Sequence, residues 1–205
     1  MNNEVTVSGV LLDSPVYSHE FMGKGYYVCS IKTQYLRREE VNASIVRVYI
    51  PEDLATSVFL APRMMVKVTG SIVNSTHDGR KDISVAAQTL QLTSEPYINQ
   101  AKLTGVISRI FTNDSNFAYF VNFLVCLPNE DTQKRAVSLR VVAWAKLADY
   151  IYENLKVGDK VTVIGALSSS VYAPSKENAV PVSPALPEKI VINELYCTAC
   201  AKASD

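Results

Sequence analysis

The sequence predicts an all-β protein made of two tandem copies of one small barrel. Three observations lead there. Val, Ile, Thr and Tyr crowd into short runs bounded by Gly, Pro, Asp and Asn, the pattern of strands and turns, while long helical periodicities are scarce. Three short motifs recur once each, in one order. Val7-Ser8-Gly9-Val10-Leu11 is answered by Leu103-Thr104-Gly105-Val106-Ile107, Val46-Arg47-Val48 by Leu139-Arg140-Val141, and Val66 to Ile72 by Val161 to Leu167. Gly9 and Gly105, Arg47 and Arg140, and Gly70 and Gly165 stand 96, 93 and 95 residues apart, a nearly constant offset that marks a duplication. Finally, 205 residues at 48% hydrophobic content leave room for two cores.

Composition limits the partners. Lys and Arg number 20 and Asp and Glu number 20, so the formal net charge is zero and no global field draws in a polyanion. A polyanion must then meet a locally basic face. There is no apolar run long enough to span a bilayer and no basic, apolar leader at Met1-Asn2-Asn3-Glu4. A soluble, unexported, cytoplasmic protein is expected. The four Cys are too scattered for a disulfide framework.

The first copy opens with a strand over about 4–12. Val16 to Phe21 lies between turns at Asp13-Ser14-Pro15 and Gly23-Lys24-Gly25. A second strand is predicted over 26–35, with Tyr27, Cys29 and Ile31 on one face and Tyr26, Ser30 and Lys32 on the other. Arg37 to Asn42 reads as a charged, solvated connection. Strands over 43–50, 64–73 and 83–92 follow, with a short helix over 52–59 whose first acidic residues suit the helix dipole. The order is βββαββ. Thr93 to Gln100, with Pro96, reads as the boundary, giving domains over 1–98 and 99–205. It has no low-complexity stretch, so close packing is expected rather than a flexible tether.

The second copy repeats the order, with strands over 102–111 and 117–127 and then Ser138 to Leu167. That last stretch begins and ends as a strand. Between them Leu147, Ile151 and Leu155 recur at helical spacing, and Trp144, the single Trp, stands where strand gives way to helix. Ser168 to Glu188, with four Pro, reads as a loop, and 189–196 as the last strand. Five short strands with a helix between the third and fourth is the order of an OB-fold, a small Greek-key barrel.

Strand parity selects candidate site residues. Arg140, Val142 and Trp144 share one face, while Leu139, Val141 and Ala143 share the apolar one. The first set pairs a cation with an aromatic ring, the chemistry that holds single-stranded nucleic acid through base stacking and phosphate contact. Phe120 and Asn122 fall on the outer face of the preceding strand. In the first copy the same parity turns out Arg47, Tyr49 and Pro51, joined by Tyr26, Ser30 and Lys32, with Arg80 and Lys81 beside the turn between the last two strands. Pro51 replaces the Trp, so weaker binding by the first domain is expected. Plainer readings stay open: Trp144 as a half-buried core aromatic, Arg140 and Arg47 as solvated strand cations.

The second half resembles the bacterial single-stranded DNA-binding protein family over nearly its whole length. The residues that carry the likeness are Gly105 in the first strand, Val121 to Val125, Trp144-Ala145-Lys146-Leu147-Ala148, Lys156-Val157-Gly158, and the alternating strand Val161 to Leu167. The first half, with Ser18-His19-Glu20 and Gly25-Tyr26-Tyr27, is similar to the leading domain of tandem-OB single-strand binders of Firmicutes. The resemblance implies single-stranded DNA, or RNA, as partner, held by Trp144, Arg140, Lys146 and Tyr172. Tyr172 could equally shield the barrel end. Four-barrel assemblies are common in the family, which implies a homodimer here. Two features depart from the family: Ala201 to Asp205 is not an acidic tail of the partner-recruiting kind, and Ser138 stands where an aromatic is usual.

Other chemistry finds little footing. Cys197 and Cys200 have metal-ligand spacing without a second ligand pair, and Cys29 and Cys126 sit in apolar strands as core residues. Ser18-His19-Glu20 are mere sequence neighbours, and adjacency does not make a catalytic relay. His19 is read in a polar turn. There is no phosphate loop or dinucleotide fingerprint, so no enzyme, metal or cofactor is expected. The expected function is largely sequence-independent single-stranded DNA binding in replication, recombination or repair. The rivals are a replication-restart or phage accessory protein using one barrel for protein contact, an interaction module without nucleic-acid binding, and an oligosaccharide-binding barrel.

Overall fold

A computed structural model describes residues 3–77, 80–111, 120–128, 136–172 and 190–203, the side chains of 76–77, 80–81, 170–172 and 190–192 excepted. The described residues form eleven strands and two short helices. The first copy contains β1 (Asn3–Leu11), β2 (Val16–Phe21), β3 (Lys24–Arg37), β4 (Glu40–Pro51), α1 (Glu52–Ser57), β5 (Met65–His77) and β6 (Arg80–Leu92). The second contains β7 (Ile98–Phe111), β8 (Phe120–Leu127), β9 (Val137–Trp144), α2 (Ala145–Asn154), β10 (Lys160–Tyr172) and β11 (Ile190–Lys202).

Each copy closes on itself as an OB-fold barrel. Neighbours run β1-β5-β6-β4-β3 and back to β1, and in the second copy β7-β10-β11-β9-β8 and back to β7. In both barrels a single parallel contact makes the Greek key, β4 with β6 and β9 with β11. The alternation read from the sequence decides which face goes inward. Val46, Val48 and Ile50 of β4, like Leu139, Val141 and Ala143 of β9, are buried in the core. Burying such aliphatic side chains stabilises the fold by about 1.5–3 kcal/mol each.

Two duplicated glycines mark a bend in each barrel. A Cβ on Gly70 would run into the Ala86 carbonyl oxygen, and one on Gly165 into that of Tyr196. Both sit at a register shift in the closing hairpin, between Thr69 and Gly70 in one copy and between Ile164 and Gly165 in the other. A side chain there would force the strands apart at a bulge that tightens the barrel's curvature.

The two barrels share a sheet. β1 pairs antiparallel with β7 from Asn3↔Leu103 to Ser8↔Ile98, with Val5 opposite Ala101. Those two residues are equivalents in the repeat, so the pairing is symmetric about them and the barrels are related by a pseudo-twofold axis. Ser8 and Thr33, both buried, fasten the connection: Ser8 Oγ donates to the Pro96 carbonyl at 2.7 Å and accepts from Ile98 N at 2.7 Å, while Thr33 Oγ1 donates to the carbonyls of Ser8 and Ile98.

Several elements depart from the expected ones. Val16 to Phe21 is a strand paired with β3, and His19 therefore lies in β2 and not in a turn. Arg37 to Asn42 is exposed over 38–41, as expected, but it is the end of a hairpin and not an open connection. Pairing continues to Arg37↔Glu40, leaving Arg38 and Glu39 as a two-residue turn with φ of 51° and 68°. β7 begins at Ile98, inside the expected boundary, because its first residues complete the shared sheet. Ser168 to Tyr172, expected in the loop, extends β10 and pairs with β11. The last strand continues past Tyr196 to Lys202, placing Cys197 in the core as a buried residue. The rest of the expected loop, 173–189, lies outside the described residues.

Candidate nucleic-acid interface

The outer face of β8, β9 and β11 carries the most concentrated aromatic and cationic chemistry among the described residues. The register sets Phe120 opposite Trp144, Asn122 opposite Val142 and Leu124 opposite Arg140. The Phe120 and Trp144 rings lie 4.8 Å apart, tilted by 36°. Alongside, the Arg140 guanidinium carbon is 5.8 Å from the Phe111 ring centroid and that of Arg109 is 4.8 Å from it. Tyr196, register partner of Val142, brings a third strand to the face.

The first barrel completes this face. The Arg37 guanidinium carbon lies 4.7 Å from the Trp144 centroid and that of Arg38 lies 4.4 Å from it. Arg37 also stands 5.8 Å from the Tyr196 ring. Such cation–ring contacts are electrostatically favourable. Parity sends Val142 outward as read, yet only 5% of it is exposed. Its register partner across the parallel contact is Tyr196 of β11.

One acid sits in this basic surface. Burial pushes the Glu194 carboxyl above its ordinary range, and Arg140 and Arg37 only partly draw it back down. A net-neutral chain thus carries a strip of four arginines interleaved with four aromatic rings.

The first barrel bears a smaller aromatic group on its equivalent face. The His19 ring stacks on Tyr26 at 5.3 Å with 9° between planes, and meets Tyr49 edge-on at 5.5 Å. Ser18 Oγ lies 3.0 Å from His19 Nδ1. Arg47 is half-buried and lines a narrow crevice with Leu167 and Asn193 of the second barrel, while Lys32 is exposed on β3. Lys146, on the first turn of α2, is exposed.

Trp144, Phe120, Arg140 and Asn122 are thus brought onto one face, and Tyr26 and Tyr49 onto another. Arg47 is drawn aside to the seam between barrels. Tyr172, Arg80 and Lys81 lie in strands, but their side chains are outside the described residues. Sequence reasoning missed Arg37, Arg38, Arg109, Phe111 and Tyr196, and weighed His19 only as a structural residue or a phosphate contact. The strand alternation before the two hairpin arginines breaks at Leu36 and gave no signal for them.

Among the described residues no group of three His, Cys, Asp or Glu is placed to hold a metal. No helix among them is long and apolar enough to cross a membrane.

A Greek-key barrel of this order, with aromatic and cationic groups on the face of its second and third strands, has the architecture of the OB-fold. Residues 91–183 match the family model described as Single-strand binding protein family. Two solved structures share the fold over nearly the whole chain. A deletion mutant of the single-stranded DNA binding protein from Thermus aquaticus aligns with a TM-score of 0.76 at 18% identity, covering 99% of this chain and 95% of that one. The wild-type protein from the same organism gives a TM-score of 0.74 at 18% identity, with coverage of 99% and 93%. No curated protein matches in sequence.

Proposed function

We propose that this protein binds single-stranded DNA with little sequence preference and organises or protects it during replication, recombination or repair. The observation that carries the reading is the Trp144–Phe120 pair flanked by Arg140, on a barrel whose sequence matches the single-strand binding protein family model. Trp144 and Phe120 offer faces for bases, worth about 1–3 kcal/mol per stacked base. Arg140, Asn122 and Lys146 would take phosphates or base edges along the same path, with Tyr172 continuing it on the loop side. The first barrel, over residues 1–98, would add a weaker surface from Tyr26, Tyr49, Lys32, Arg80 and Lys81, with Arg47 at its edge. The second barrel spans 99–205.

The protein works by binding alone and not as an enzyme, in the cytoplasm, as a homodimer that brings four barrels together. The zero net charge of the chain fits a local face better than a general attraction to polyanions.

The test is a titration of labelled oligo-dT followed by anisotropy, with Trp144 emission read in parallel for the unaltered chain. Saturable binding that weakens with salt, accompanied by a change in Trp144 emission, is expected. Trp144→Ala with Arg140→Ala should weaken binding about tenfold or more, and Tyr49→Ala with Arg47→Ala much less. Unchanged emission together with no anisotropy change at low salt would sink the DNA reading. Equal losses for the two double variants would remove the dominance of the second barrel.

A further inference from the structure

The tip of the β3–β4 hairpin belongs to the first barrel by sequence and to the second barrel's binding face by position. Its placement is fastened at several points. Tyr35 Oη and Ser168 Oγ share a hydrogen bond of 2.8 Å, and the Tyr35 ring packs 5.9 Å from that of Tyr196. Farther down the hairpin, Ser169 Oγ accepts from Ile45 N at 2.8 Å, and Ser44 Oγ accepts from Ser169 N at 3.1 Å. The hairpin is therefore docked along β10, and its two arginines are delivered to the Trp144 ring rather than left to roam.

Two like charges within 5 Å of one ring centroid repel each other, and both would gain from an anion between or beside them. Guanidinium groups recognise phosphate in a planar, bidentate way and stack on flat rings, so they suit a site that holds a base and its phosphate together. A base that stacks on Trp144 must also share the ring with these groups. We infer that Arg37 and Arg38 are DNA-contacting residues of the second barrel's site, supplied by the first barrel. In the free protein they rest against Trp144; with DNA bound they turn to the phosphates flanking the base stacked there. The two barrels then form one composite site, in which the first contributes mainly through its hairpin. This inference rests on the single-stranded DNA reading above.

The test uses the full chain carrying Arg37→Gln with Arg38→Gln, and a second variant carrying Arg37→Lys with Arg38→Lys. Oligo-dT binding is measured across a salt series, and Trp144 emission is recorded without DNA. The Gln pair should bind about tenfold more weakly at low salt, and its log–log salt slope should be shallower by about 1.4, two phosphates at about 0.7 each. Its free-state Trp144 emission should differ from that of the unaltered chain. The Lys pair keeps both charges and should retain the salt slope. Unchanged affinity and slope in the Gln pair would overturn the inference, as would tighter binding, which would make the arginines a mere cover. A Lys pair as weak and as shallow in slope as the Gln pair would overturn the phosphate assignment. Failure of the unaltered chain to bind oligo-dT would instead bring down the functional reading itself.

Discussion

Asn3 and Asn99 perform one task in the two barrels. Asn3 accepts from Ile72 N at 2.9 Å and donates to the Ile72 carbonyl at 3.0 Å. Asn99 accepts from Leu167 N at 2.8 Å and donates to the Leu167 carbonyl at 2.8 Å. Each amide continues the barrel's ladder with its side chain, at the level where the backbone of its own strand turns to the other barrel. β1 pairs with β5 only from Val5 onward, and β7 with β10 only from Ala101. The side chain thus lets one strand serve two barrels without leaving backbone groups unpaired.

It follows that Asn3→Ala and Asn99→Ala should each destabilise the chain by about 1–3 kcal/mol, because each strands a backbone N–H and a carbonyl in a partly buried position. Denaturant unfolding gives the value. Asp at either position keeps the acceptor for the N–H but meets the carbonyl with a carboxylate, so it should do no better than Ala. A loss below a few tenths of a kcal/mol in both Ala variants would show that water replaces the amide at no cost.

Ala145 carries a different kind of strain. It directly follows Trp144 and has φ of 51°, in the left-handed region that costs an L-residue about 1–2 kcal/mol. Ala145→Gly would remove that strain, offset by about 0.4–1 kcal/mol of extra unfolded-chain entropy. The expected result is a gain of about 0.5–1 kcal/mol in unfolding free energy, with oligo-dT affinity changed less than twofold. A destabilised Gly variant would mean that the Ala145 methyl group makes packing contacts worth more than the strain.

Much of the architecture was readable because it rests on local rules that are written twice. The period-two alternation at Val46 to Ile50 and at Leu139 to Ala143 gave the inward faces, and the recurring Gly70 and Gly165 helped to give the duplication. The aromatic pairing of Phe120 with Trp144 followed from the same parity once both were placed outward. What was not readable depends on how the barrels meet. Arg37 and Arg38 lie in a run of charges whose local reading is a solvated turn, and only the docking of Tyr35 and Ser44 on β10 carries them to Trp144. Arg47 shows the reverse: its parity was read, but not the crevice it lines with Leu167 and Asn193 of the neighbouring barrel. Val142 shows the same limit, outward by alternation and yet buried.

The thiols should report burial directly. Burial pushes Cys29 and Cys197 up to about 12, with Asp13 adding to the first and Cys200 to the second, and burial alone pushes Cys200 up to about 11. The thiolate is the nucleophile, so at pH 8 these three should react with a disulfide reagent far more slowly than a free thiol. Full labelling should appear only after unfolding. Rapid labelling of Cys197 in the native chain would contradict the strand β11 placement that buries it.

Glu194 gives the interface a pH response whose sign can be worked out. Burial raises its carboxyl, and the opposing pull of Arg140 and Arg37 is smaller, so the folded protein favours the protonated form more than the unfolded chain does. Stability from this group is therefore fully present below the ordinary carboxylate range and is lost as pH rises through the raised value. Glu194→Gln removes that loss. The difference in unfolding midpoint, variant minus parent, should become more positive from pH 4 to pH 7. DNA affinity should respond from the same source, because the ionised carboxylate competes with phosphate for Arg140 and Arg37. At pH 7 the variant should bind oligo-dT several-fold more tightly, and the parent should close the gap as the pH falls and its carboxyl is protonated. A gap that stays constant from pH 7 to pH 4.5 would mean that Glu194 does not titrate beside the bound strand, and a variant that binds more weakly at every pH would make the carboxylate an organiser of the two arginines instead of their competitor.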